Sequence, residues 1–313
     1  AASSYTGGTT VNNGYLRGEN TAAFGAAGQT ITMAGGFLEL GTDSAMNSYH
    51  VSVSGNWTAR LDRATAGGGF TNTFNNLTFT ADRTMGVYTG GLVTSGTAGL
   101  TFSGTWTPTT PRTPTFDVGE SAVLAISGSL TAGAQTISLV KTGIGRLILN
   151  GNFGTWEGGS NIALNNGTLD LRSIPGDTGV YRNIDMAAGT TLALTQDAGY
   201  NFYSGINFAG NMTLVSDRAT PGAAVTHTFG SGLALTFNGS YAIVVTNSAN
   251  VTSGNQGLTY SSRMNLGANT ATINVATNVI LTLAGSANGN PLSTGAVRKS
   301  GNGILIISGV NSY

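Results

Sequence analysis

Acid, base or nucleophilic chemistry in this chain would have to come from very few residues. Of 313 positions, 13 are Asp or Glu, 13 are Lys or Arg and 2 are His. The acids stand singly. Asp117 and Glu120, in Pro114-Thr-Phe-Asp-Val-Gly-Glu120, form the closest pair. Polysaccharide cleavage needs clustered carboxylates, or an Arg base beside acidic metal ligands; this pair reads instead as loop or strand-end residues. Asp62-Arg63-Ala64-Thr65 recurs as Asp217-Arg218-Ala219-Thr220. A stacked or cross-rung ion pair at a corner fits this recurrence better than a duplicated active site. His50 and His227 do not fall at equivalent places, so no shared metal site is expected. The serines have no adjacent histidine base, and no helix follows Gly143-x-Gly145 to bind phosphate. The chain is therefore read as a non-enzyme with no cofactor.

Two groups of residues remain as candidates for binding. Trp57, Trp106 and Trp156, with Tyr49, Tyr88 and Tyr203, are able to stack on sugars, although core or corner positions are expected for most of them. The Pro-rich stretch Thr105–Pro114 is expected to leave the strands as a surface loop. Its Trp106, Pro108, Pro111, Arg112 and Pro114 are the candidate lateral contact or receptor site.

Composition explains why chemistry is sparse. Only 8% of residues are charged, against roughly 25% in ordinary domains. Net charge is zero and Lys occurs only at 141 and 299, too little positive charge to hold a phosphate backbone, so no nucleic-acid partner is expected. Cys is absent, which excludes disulfide scaffolds and thiolate metal sites. No run of 18 apolar residues provides a transmembrane helix. The start, Ala1-Ala2-Ser3-Ser4, lacks the charged and apolar regions of an export signal, which is read as removed or not included.

The elements that would position any site are short and alternating. Gln29-Thr-Ile-Thr-Met33, His50-Val-Ser-Val-Ser54, Asn76-Leu-Thr-Phe-Thr80, Gly167-Thr-Leu-Asp-Leu171 and Val279-Ile-Leu-Thr-Leu283 are typical, each bounded by Gly or Asn. Period two means one buried face. The outward residues are mostly Thr, Ser, Asn and Ala rather than charges. Such residues suit stacking on their own kind about 4.8 Å apart, where they can hydrogen-bond up the stack and like charges would repel. Gly and Asn fit the corners. The expected fold is all-β, a single-stranded right-handed parallel β-helix. At about 22 residues per turn it would have roughly 14 rungs.

The chain also repeats itself. Asp62–Thr65 and Gly55-Asn56-x-Thr58 each recur 155 residues later, Asn12-Asn13-Gly14-x-Leu16 recurs after 153, and Lys141-x-Gly143-x-Gly145-x-Leu147 after 158. Residues 1–151 and 152–313 are thus read as two homologous solenoid units of one continuous β-helix.

One stretch carries a family resemblance. Val140-Lys141-Thr-Gly-Ile-Gly-Arg-Leu-Ile-Leu-Asn-Gly151, then Trp156-Glu-Gly-Gly-Ser160, Ile162 and Asn166-Gly-Thr-Leu-Asp-Leu171, resembles the autotransporter-associated β-strand repeat. The family pattern is roughly K-x-G-x-G-x-L-x-L-x-G-x-N-x-Y-x-G-G-T-x-I-x-x-G-x-L-x-L. The departure is at N-x-Y, here Asn152-Phe-Gly-Thr-Trp156. The resemblance implies a passenger-type right-handed β-helix exposed outside a bacterial cell. A second match is split: Lys299–Tyr313 supplies its first half and Tyr5–Leu16 its second.

Complementary halves imply unfinished rungs that stack through strand edges. Tyr5, Thr9, Val11 and Leu16 form one expected edge, and Ile304, Ile306, Val310 and Tyr313 the other. The partners are copies of the chain, head to tail, or adjacent repeats of a longer chain. The expected role is a structural subunit or segment of an extracellular fibre, sheath or surface stalk. The alternative is an adhesin passenger segment that binds surfaces or glycans through loops.

Overall fold

A computed structural model describes residues 3–108, 112–131, 137–152, 160–172, 182–202, 204–230, 234–285 and 295–308. The chain is all-β, with parallel strands stacked as a β-solenoid of about 11 turns. No helix among the described residues is long and apolar enough to cross a membrane. Two compact units are formed, Ala1–Glu157 and Gly158–Tyr313.

In the first unit three sheets make three faces. The first stacks Thr9–Val11, Thr30–Met33, His50–Val53, Leu77–Phe79 and Trp106–Pro108. The second stacks Tyr15–Gly18, Phe37–Gly41, Trp57–Asp62, Thr84–Thr89, Thr115–Val118 and Leu139–Thr142. The third stacks Thr71–Phe74, Ala98–Phe102, Ala122–Ile126 and Arg146–Leu149. Alternation dictates what each strand buries. Ile31, Met33, Val51, Val53, Leu77 and Phe79 point inward and are essentially inaccessible. Between them Thr10, Thr32, Ser52, Thr78 and Thr107 lie in register on the outside. Aromatic rings run up one interior corner. Phe24–Tyr49, Tyr49–Phe74 and Phe74–Phe102 make edge contacts with centroids 5.8, 5.6 and 6.1 Å apart. Pairs of this kind add roughly 0.5–1.5 kcal/mol beyond area burial.

The second unit repeats the strand order. Its faces stack Asn161–Leu164, Arg182–Met186, Ser204–Phe208, Leu235–Phe237 and Met264–Asn265; then Thr168–Leu171, Thr191–Thr195, Met212–Asp217, Ala242–Thr246, Thr270–Val275 and Ala296–Ser300; then Asn201–Phe202, Thr226–Phe229, Gln256–Tyr260, Val279–Leu283 and Ile304–Ile307. The recurring Gly-Asn-x-Thr segments have a structural role. Asn56 Oδ1 accepts the Thr84 N–H of the following rung at 2.9 Å, and Asn211 Oδ1 accepts that of Ala242 at 2.8 Å.

Two expectations need correction. Rungs are not uniform: partners are 21 residues apart at Phe37 and Thr58 but 31 apart at Thr84 and Thr115. The middle rungs carry an excursion at one corner, where Gly67–Gly68 pairs with Val93–Ser95, and in the second unit Gly222–Ala223 with Val251–Ser253. Longer rungs give about 11 turns rather than 14. At its described residues the Pro-rich stretch stays in the ladder rather than leaving it as a surface loop. Trp106–Pro108 is a strand paired with Leu77–Phe79, and Arg112 bridges to Ile137. Trp106, Pro108 and Pro114 are buried, Trp106 against Phe116 at 5.9 Å. The interior gained by Trp106 outweighs the ladder bond forfeited by Pro108, which sits at the strand's end.

Candidate functional site

At the expected edges, period two sorts the residues. Thr9 and Val11 sit in register with Ile31 and Met33 and point inward. Val11 is buried, Thr9 half-buried. Tyr5 is exposed; its hydroxyl meets Thr9 Oγ1 at 2.5 Å and its carbonyl accepts the Ala26 N–H. Leu16 continues the inward ladder of Leu38 and is half-buried where Leu38 is inaccessible. At the other edge Ile304 and Ile306 align with Ile280 and Thr282 and face outward. Leu305 and Ile307 align with the core residues Leu281 and Leu283, yet Ile307 is 38% exposed where Leu283 is 6%. The apolar contact at this edge thus belongs to Leu305 and Ile307. Val310, Tyr313 and Pro111 lie outside the described residues, as do Trp156 and Tyr203. Arg112 is half-buried and donates Nη2 to the Thr80 carbonyl at 2.7 Å.

The lysine turn of the repeat motif is visible twice. Gly143 and Gly301 adopt φ of 70° and 77°, a region open to glycine because it lacks Cβ. Lys141 Nζ donates to the carbonyls of Thr142 and Gly143 at 2.6 Å each, and Lys299 Nζ to that of Gly301 at 2.5 Å. Lys141 aligns with the core residue Phe116 and is fully buried; Lys299 aligns with Ile273 and is exposed. Burial pushes the Lys141 ammonium down to about 8, with Asp117 pulling it back.

The repeated Asp-Arg segments form corner clamps, with a partner the sequence does not reveal. Arg63 pairs with Asp43, one rung earlier, at 3.2 Å, and Arg218 with Asp197 at 3.5 Å. The Thr65 and Thr220 hydroxyls and amides bind the same carboxylates. Each arginine also ties down the excursion: Arg63 donates to the carbonyls of Thr65 and Gly68, and Arg218 to those of Thr220 and Ala223. Asp62 instead accepts the Arg63 and Leu92 N–H groups at 2.9 Å each.

The second face of the first unit carries a cluster that single-residue reading misses. Tyr15, Phe37, Thr58, Gly86 and Asp117 are in register on successive rungs. Beside them run Arg17, Glu39, Arg60 and Tyr88. Tyr15 and Phe37 are about half exposed, with centroids 6.2 Å apart. Glu39 faces outward yet is buried between two arginines: it pairs with Arg17, and its Oε2 lies 3.5 Å from Arg60 Nε. Burial pushes its carboxyl up, Arg60 opposes this, and Asp62 adds to it. The Tyr88 hydroxyl donates to Asp117 Oδ2, and with burial this holds the phenol up at about 12. A Cβ at Gly86 would stand 3.0 Å from Tyr88 Cε2, so the ring lies over bare backbone. The result is an open hollow lined by Tyr15, Phe37, Thr58, Arg60, Tyr88 and Thr89. The other sugar-stacking candidates, Trp57, Trp106 and Tyr49, are core residues.

Comparisons of the chain with protein-family models, with curated proteins and with solved structures return no match.

Proposed function

We propose that the chain is a structural part of an extracellular bacterial fibre, sheath or surface stalk, related to the autotransporter-associated repeats, in which rungs stack end to end through strand edges. The next rung belongs to another copy of the chain or to a further repeat of the same polypeptide. The observation that carries this reading is the contrast at the lysine turn. Lys141 and Lys299 make the same inward-facing turn, but the second is left exposed, with Leu305 half-buried and Ile307 exposed on the strand that follows. A further rung would cover all three, and its backbone would complete the ladder of Ile304–Ile307, which among the described residues is paired on one side, to Val279–Leu283. Strand addition supplies affinity through main-chain hydrogen bonds and register through alternate side chains. The low charge favours close packing of such assemblies.

Electron microscopy of the purified chain over a concentration series tests the proposal. Uniform fibres with a repeat near 4.8 Å along the axis, abolished by Leu305→Asp with Ile307→Asp, support it. A chain that stays monomeric at every concentration and is unchanged by those substitutions overturns stacking between copies. A second reading, an adhesin segment, is favoured by the exposed aromatic hollow of the first unit, which lies on a sheet face and not on loops.

A further inference from the structure

We propose that the hollow on the second face of the first unit is a glycan-binding groove, taking a neutral pyranose chain that runs along the rung-to-rung direction. This deepens the adhesin reading and does not require end-to-end stacking.

Three observations converge on a sugar ligand. First, the aromatic rings stand on the outside of the sheet and not in the core. Tyr15 is 51% and Phe37 48% exposed, a cost in water unless something covers them. Their faces suit the apolar C–H face of a pyranose ring. Second, polar groups surround the rings at the height where sugar hydroxyls would lie. Thr58 and Thr89 offer hydroxyls, Arg60 offers guanidinium N–H donors and Asp117 accepts. These groups are held in place: Arg60 by Glu39, and Asp117 by the Tyr88 hydroxyl. Third, the rungs rise about 4.8 Å each, close to the length of one sugar unit in an extended β-linked chain. Tyr15 and Phe37 on adjacent rungs are therefore placed to meet successive sugars, with Tyr88 two rungs beyond Phe37.

The second unit supplies an internal control. Its equivalent ladder is Thr168, Thr191, Thr213 and Val244, and its companion is Asp170, Ala193, Val215 and Thr246. The rung geometry therefore does not itself demand aromatic rings or arginines at these places. Arg17 and Arg60 are matched by the Glu39 and Asp117 carboxylates, so the hollow carries little net charge, which favours a neutral over an anionic chain.

The test is calorimetric titration of the full chain with three probes: cellohexaose, chitohexaose and polygalacturonate. Binding of either neutral hexasaccharide, weakened roughly three- to tenfold by Phe37→Ala and again by Tyr88→Ala, and unchanged by Thr191→Ala in the second unit, is the expected result. All three side chains are outward-facing, and circular dichroism of each variant confirms folding. Binding of none of the probes, of polygalacturonate alone, or binding indifferent to the Phe37→Ala/Tyr88→Ala pair, overturns the proposal. So does loss of self-association in that double variant without saccharide binding, which would make the hollow a contact between chains. Failure of fibre formation leaves the glycan result standing, so the two readings fail separately.

Discussion

Lys141 and Lys299 make one turn in two surroundings. Each aims its ammonium at the carbonyl of the glycine two residues on, at 2.6 and 2.5 Å, but Lys141 is sealed in the interior and Lys299 stands in the open. The buried ammonium loses protons near pH 8, against 10.5 for an unperturbed lysine. Between these values the unfolded chain binds the extra proton, so stability rises with pH across that window. Lys141→Met should abolish the rise and leave the chain as stable or more so at pH 7. Denaturant melts at pH 7.5, 8.5 and 9.5 read this slope; a variant with an unaltered slope would disprove it.

His227 stands on the strand equivalent to that of Asn72, inaccessible, with Nε2 donating to the Asp217 carbonyl at 2.7 Å. Burial pushes its imidazolium down from the ordinary 6.5, the Asp217 carbonyl and carboxylate oppose this, and Arg218 adds to it. The unfolded chain is therefore protonated first, and stability should fall as pH drops below about 6.5. His227→Asn, which copies the first unit, should flatten that decline in thermal melts between pH 5 and 7.

The clamps at Asp43 and Asp197 give a pH dependence of the same sign in a more acid range. Hydrogen bonds from Thr65 and Thr220 hold these carboxyls below their ordinary 3.8. Their contribution is present above that value and is lost as pH falls through the depressed one. Asp43→Ala should speed amide exchange at Ala64 and Thr65 without affecting Thr220, and Asp197→Ala should do the converse. Hydrogen-exchange mass spectrometry distinguishes the two corners.

Gly36 has φ of 76°, and a Cβ there would stand 2.5 Å from the Gly14 carbonyl oxygen and 2.9 Å from the Asn13 carbonyl carbon on the rung before. Strain of this kind costs about 1–3 kcal/mol. Gly36→Ala should lower stability by that amount, while Gly28→Ala, with a similar φ and open space around it, should cost less.

Among the described residues Trp106 is the largest fully buried side chain. Trp106→Ala should cost about 3–5 kcal/mol, measured by urea unfolding. A loss under 1 kcal/mol would return this stretch to the surface.

The alternation at Thr30–Met33 or Val279–Leu283 was legible as strand because its period is local, and the duplication was legible because four motifs keep nearly one spacing. What stayed hidden depends on register. Asp43 as the partner of Arg63, and Tyr15 beside Phe37, become neighbours only when rung lengths are known, and these vary from 20 to 31 residues. Pro108 and Pro114 look like strand breakers and point Trp106 toward a surface contact, whereas burial of the indole decides its place. Ile304 and Ile306 are apolar like their neighbours, so composition alone does not say which pair faces inward.

The row Thr10, Thr32, Ser52, Thr78, Thr107 and Thr131, closed by a 2.7 Å bond between the last two hydroxyls, contains no group that ionises near neutrality. Ions cannot screen what carries no charge, and acid or alkali has nothing there to titrate. Whatever meets that row, whether solvent, a neighbouring chain or a matrix, should encounter the same hydroxyls in fresh water as in brine.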